Sequence, residues 1–69
     1  MIREGSNVKW SWGNGEATGK VSETFTKEVT RTIEGNEVTR KGESGNKALL
    51  IEQTDGGKVL KLESEVKKA

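Results

Sequence analysis

The chain has no cysteine, no histidine, no proline and no tyrosine. Without cysteine there is no disulfide framework, no thiol nucleophile and no zinc–sulfur site. Without histidine the commonest general base and the commonest metal ligand are missing. Without proline no loop is stiffened by a fixed φ. Apolar residues are scarce, 29% of 69 positions, and the longest apolar run is Ala48-Leu49-Leu50-Ile51. That run is far too short to cross a bilayer, so no membrane association and no secretory leader are expected. A cysteine-free domain of this size is expected in the cytoplasm. An excess of one charge is also lacking: Lys+Arg is 12, Asp+Glu is 11 and the net charge is +1. Both signs are spread through every third of the chain, so no block acts alone as a polyanion-binding tail. The length allows one domain over residues 1–69, with its core over about 4–68.

What the chain does have is alternation punctuated by turns. Val8, Trp10 and Trp12 alternate with Lys9 and Ser11, and Asn14-Gly15 follows as a pair suited to a type I′ turn. That turn predicts Trp12 opposite Ala17, Trp10 opposite Gly19, Val8 opposite Val21 and Lys9 opposite Lys20. A second hairpin is predicted over Val29–Lys41, with Gly35 at the first central position of a II′ turn. It sets Ile33 opposite Val38 and Arg31 opposite Arg40. Two like charges directly opposite are unfavourable. The hairpin is therefore expected either to project beyond the core or to rotate its faces at a bulge near Gly42.

A third hairpin pairs Ala48–Gln53 with Lys58–Leu62 around Asp55-Gly56 or Gly56-Gly57. Either two-residue turn puts Leu49, Ile51, Leu60 and Leu62 on one face, with Leu50 and Val59 on the other. Glu63–Val66 is expected to form a single helical turn anchored by Val66, and Lys67-Lys68-Ala69 to fray. The glycine-rich stretch Lys41–Lys47 is expected to be the most mobile. Even spacing of short strands and turns reads as a small all-β barrel or sandwich. The expected core is Val8, Trp10, Val21, Phe25, Ile33, Val38, Leu49, Ile51, Leu60 and Leu62.

Four segments taken in order carry a resemblance. They are Val8-Lys9-Trp10-x-Trp12-Gly13-x-Gly15-x-Ala17-x-Gly19-x-Val21, Arg31-Thr32-Ile33-x-Gly35-x-Glu37-Val38-Thr39-Arg40, Ala48-Leu49-Leu50-Ile51-Glu52-Gln53-x-Asp55-Gly56, and Val59-Leu60-Lys61 with Ser64-Glu65-Val66. Together they resemble the hypervirulence-associated Tudor-like domains, small and mostly bacterial. The resemblance implies an SH3-like barrel of about five to six short antiparallel strands. It brings no established activity, ligand, cofactor or catalytic residue. Members often carry a proline just before the strand that begins here at Ala48; this chain has Gly45-Asn46-Lys47 there.

Three readings of the chemistry follow. Trp10, Trp12 and Phe25 are all the aromatics, and a barrel of this kind invites an aromatic ligand site built from them. Their alternation with a strand pattern favours core use instead. Lys9, Lys20, Arg31, Arg40 and Lys41 are candidate nucleic-acid contacts on a basic strand face, against a reading as solvated charges that guard strand edges. An open edge at 29–33 or 37–41, or the residues Leu50 and Val59, would serve a protein or peptide partner or a weak dimer. No residues combine as a catalytic or metal site. The expectation is a non-enzymatic interaction module for a protein or peptide, with nucleic-acid binding as the alternative.

Overall fold

Alternating β-formers broken by turn pairs make a chain of antiparallel hairpins. The computed structural model describes residues 2–54 and 56–69, with the backbone alone at Trp12. Among the described residues there are seven strands: β1 (Asn7–Trp12), β2 (Gly15–Phe25), β3 (Glu28–Ile33), β4 (Asn36–Lys41), β5 (Ala48–Gln53), β6 (Lys58–Leu62) and β7 (Lys67–Lys68). A 3₁₀ turn over Glu63–Glu65 joins β6 to β7. Five strands form one antiparallel sheet in the order β6-β5-β2-β1-β7, and β3 and β4 form a second sheet of their own.

The larger sheet has to curl. Its edge strands, β6 and β7, are joined by residues 63–66 alone. A flat sheet of five strands is roughly 19 Å from edge to edge. Four residues wound partly as a 3₁₀ turn reach only about 13 Å. The short connection therefore curls the sheet into a barrel-like form and leaves β6 and β7 as its two edges.

Alternation along the curled sheet gives two apolar clusters where one core is expected from the sequence. Val8, Trp10, Val21, Leu49, Ile51 and Val66 form the first, with Ile2, Ala17 and Val59 against it. Val66 belongs to the short connection, so this cluster is the enclosed one. Val29, Ala48, Leu50 and Leu60 form the second, with Phe25, Ile33, Val38 and Leu62 packed on it. The β3–β4 hairpin supplies its lid. Successive β5 residues alternate between the clusters, which is why Ala48, Leu49, Leu50 and Ile51 are all buried. A bulge between Val21 and Glu23 explains Phe25. One extra residue reverses the faces of β2, so Val21 points into the first cluster and Phe25 into the second.

All three hairpins differ from the sequence reading. In the first, Trp12 pairs with Gly15, Trp10 with Ala17 and Val8 with Gly19. The loop is Gly13-Asn14, with Gly13 at φ 50°. The register moves by two residues, so the faces survive but the pairs do not. In the second, Ile33 pairs with Asn36, Arg31 with Val38 and Arg40 with Val29. Glu34 and Gly35 form the loop at φ 50° and 80°, the two positive values that a I′ turn needs. This register separates Arg31 from Arg40, which relieves the like-charge pair and offsets the cost of placing Glu34 in the left-handed region. The apolar side of the hairpin lies on the second cluster, so it neither projects beyond the core nor needs a bulge at Gly42.

In the third hairpin Gln53 N–H donates to Gly57 O at 2.7 Å, closing a loop of residues 54–56 with Gly56 at φ 93°. A three-residue loop with a left-handed residue at its end is a standard hairpin closure. Its odd length inverts the expected facing: Leu50 pairs with Leu60 and Ala48 with Leu62, while Leu49 and Ile51 face the other cluster opposite Lys61 and Val59. Asp55 lies outside the described residues. Leu50 is covered by the hairpin and does not form a surface patch with Val59.

The expected loose ends are tied. Lys67 and Lys68 pair with Lys9 and Val8, and Ala69 N–H donates to Asn7 O at 2.9 Å, so the tail is an edge strand. In the Lys41–Lys47 segment, Gly42 N–H donates to Lys27 O at 3.1 Å and Glu43 bridges Asn46. Asn46 Oδ1 accepts from Ser64 N–H, and Lys47 N–H donates to Glu63 Oε1, each at 2.9 Å. The residue before β5 is therefore a donor here, a role proline cannot fill.

Candidate functional site

Two surfaces carry chemistry. The first is the outer edge of β3. In an antiparallel ladder, residues alternate between exchanging main-chain bonds with the partner strand and pointing those groups away from it. The Gly42–Lys27 bond fixes the phase, since it is the next rung beyond Glu28–Lys41. Val29, Arg31 and Ile33 thus bond to β4, and Glu28, Thr30 and Thr32 turn their N–H and C=O outward. Thr30 O accepts from Arg31 Nη1 at 3.0 Å. On the outer edge of β4, Thr39 O accepts from Arg40 Nη1 at 2.9 Å. The two threonine hydroxyls meet across the hairpin at 2.9 Å.

The second surface is the polar side of β1, β2 and β7. Lys9 lies between Thr18 and Lys67 on this side, with Lys20 on the diagonal. Lys20 in turn lies between Asn7 and Glu52, and Glu52 pairs with Lys58. The lysines therefore run across the strands in the order Lys67, Lys9, Lys20, Lys58. Two concave features flank them. A groove of about 270 Å³ is bordered by Lys9, Ser11, Glu16, Glu65 and Lys67, with the buried Trp10 in its wall. A wider one of about 550 Å³ is bordered by Asn7, Thr18, Lys20 and Glu52. Glu16 and Glu52 are the acidic groups of the strands on this face, and Glu65 borders the first groove.

The candidates from the sequence fall in separate places. Trp10 is buried in the first cluster at 7% exposure, and Phe25 packs on the second. They do not face one another, and the Trp12 side chain lies outside the described residues. The Arg31 guanidinium lies 5.0 Å from the Phe25 ring centroid, a cation–π contact within the chain. Arg40 Nε pairs with Glu65 at 3.5 Å. Lys41 stands opposite Glu28 on the outward side of the hairpin. Of the five basic candidates, Lys9 and Lys20 share the polar face of β1 and β2, whereas Arg31 and Arg40 lie diagonally on the side of the hairpin that carries Val29 and Val38, and Lys41 lies on its other side. The residues that complete the Lys9–Lys20 surface, Lys58 and Lys67, are not evident from the sequence, because Lys58 joins through the inverted third hairpin and Lys67 through the pairing of a tail expected to fray.

The family model for the hypervirulence associated proteins TUDOR domain matches residues 5–66. The chain belongs to that family. No curated protein and no solved structure matches it. In this Tudor domain no helix is long and apolar enough to cross a membrane among the described residues. Nor, among those residues, do three His, Cys, Asp or Glu side chains gather as a metal site.

Proposed function

We propose that this Tudor domain is a non-enzymatic interaction module that takes an extended peptide of a partner protein as an added strand along β3. The observation that supports it is the state of the β3 edge. Native sheets guard their edges with short strands, lysine, proline or bulges. β7 has two residues, both lysine; β6 carries Lys58 and Lys61; β4 ends in Arg40-Lys41. β3 has six residues, four of them β-branched, and no lysine, proline or bulge. At roughly 20 Å it is long enough for several main-chain bonds to a peptide, with side chains on alternate positions setting selectivity. On this reading the cysteine-free chain works in the cytoplasm.

Peptides selected by display against the folded domain test it. Bound peptide should protect the Thr30 and Thr32 amides from hydrogen exchange. Thr32→Pro removes an outward N–H that no neighbouring strand uses, so it should abolish binding and leave the fold intact. Protection confined to other strands, or equal binding by Thr32→Pro, would reject the reading.

A further inference from the structure

We infer that the polar face of β1, β2 and β7 is a second, separate binding surface, and that it takes the phosphodiester backbone of a nucleic acid. Its lysines are Lys67, Lys9 and Lys20, and the row continues past Glu52 of β5 to Lys58 of β6. Lys9 and Lys67 stand directly opposite, an arrangement that costs stability unless an anion lies between them. Among the described residues none of the four lysines takes part in a salt bridge, and Glu65, which borders the groove beside Lys9 and Lys67, gives its carboxylate to Arg40. Asn7, Ser11 and Thr18 add neutral hydrogen-bonding side chains between the charges. Lysine, serine, threonine and asparagine are the residue types that hold phosphate oxygens.

The direction of the lysine row decides the class of partner. A peptide gains from a sheet by running along a free edge, where main-chain groups are unpaired. Here the row crosses β1 and β2, whose main-chain groups are already used by neighbouring strands. Only side chains are available there, and they present point charges at intervals across the sheet. A backbone with one negative charge per residue matches such a row, whereas an acidic peptide laid across it forgoes main-chain pairing. Trp10 borders the groove but is only 7% exposed, its side chain being part of the first cluster, so it offers no ring face for bases to stack on and binding is insensitive to sequence.

The test is fluorescence anisotropy of a labelled 20-nucleotide oligothymidine with the whole domain. With three to four phosphates engaged, affinity should fall about 20- to 50-fold between 50 and 200 mM salt. Lys9→Gln with Lys67→Gln should weaken binding at least about tenfold at 50 mM salt and flatten the salt slope. That pair relieves a repulsion, so an unchanged or raised melting temperature confirms that the fold is kept. Should the pair unfold the domain, Lys20→Gln alone, on an exposed side chain, should show a smaller loss of the same kind. Arg31→Gln with Arg40→Gln should leave affinity unchanged, and Thr32→Pro should bind the oligonucleotide normally, which separates this surface from the β3 edge. Three results would overturn the assignment: no binding at 50 mM salt, a loss with the arginine pair but not with the lysine variants, or equal affinity for a polyglutamate of matched length.

Discussion

At the residue scale the tightest constraints sit at two glycines. A Cβ on Gly19 would lie 2.6 Å from Ile51 Cγ2 and 2.7 Å from Glu52 O, where β2 crosses β5. A Cβ on Gly42 would strike Phe25 O and lie 2.8 Å from Ala48 N. Both obstacles include main-chain atoms that cannot swing aside. Gly19→Ala and Gly42→Ala are each expected to cost about 1–3 kcal/mol, read by chemical denaturation. Gly42 has the poorer room to adjust, because its clash is with main chain on two sides. Glu34 is the opposite case. It is a non-glycine residue at φ 50° in an exposed I′ loop whose second position is already Gly35. Asparagine tolerates that conformation and leads the preference for the position. Glu34→Asn should therefore stabilise the domain by up to about 1 kcal/mol, and a lowered melting temperature would show that the Glu34 side chain has a compensating contact.

At the element scale the question is how two lysines hold a strand. β7 is two residues long, and its Lys67 faces Lys9 across the ladder. Lys67→Glu replaces repulsion with attraction at a directly opposed pair, which is worth a few tenths to about 1 kcal/mol. The expected outcome is a higher melting temperature at low salt, with the gain shrinking as salt screens the pair. The same elements show what the sequence makes legible. Alternation at Val8 and Trp10, and at Val29, Ile33 and Val38, was enough to assign faces, because errors of two residues in register leave faces unchanged. Pairings were not legible: Gly13-Asn14-Gly15 offers two glycine-containing two-residue loops, and Glu34 gives no sign of tolerating positive φ. The third hairpin failed on one residue of loop length, which moved Leu49 and Ile51 away from Leu60 and Leu62. The bulge that turns Phe25 into the second cluster falls at Val21–Glu23, where neither glycine nor proline marks it. For the binding surfaces, Lys9 and Lys20 were readable as a basic pair, yet Lys58 and Lys67 join them only through long-range pairing. Arg31 is engaged by Phe25 only because the bulge in β2 turns that ring to the second cluster, and Arg40 is engaged by Glu65, 25 residues away in sequence.

For the whole molecule, the two clusters raise the question of whether the domain melts in one step. The β3–β4 hairpin shares no main-chain ladder with the larger sheet. It is held by the apolar side it lays on Ala48, Leu50 and Leu60, and by the Arg40–Glu65 pair. An ion pair exposed at 36% and 38% contributes little, so the packing has to hold it. β5, however, feeds both clusters from alternate positions. Loss of the lid would bare Leu50 and Ala48, and the strand that carries them also carries Leu49 and Ile51. Neither cluster is therefore independent of the other, and a defect in the hairpin should be felt by a reporter in the curled sheet. Val29→Ala makes such a defect: it deletes two methyl groups from a side chain that is 6% exposed, at a cost of about 2 kcal/mol. Trp10 lies in the other cluster. The expected result is one cooperative transition, with tryptophan fluorescence and far-ultraviolet circular dichroism shifted to the same lower midpoint. If the dichroism midpoint fell while the fluorescence midpoint stayed at its wild-type value, the hairpin would be a separate unit, and the β3 edge would then have to bind its peptide without support from the barrel.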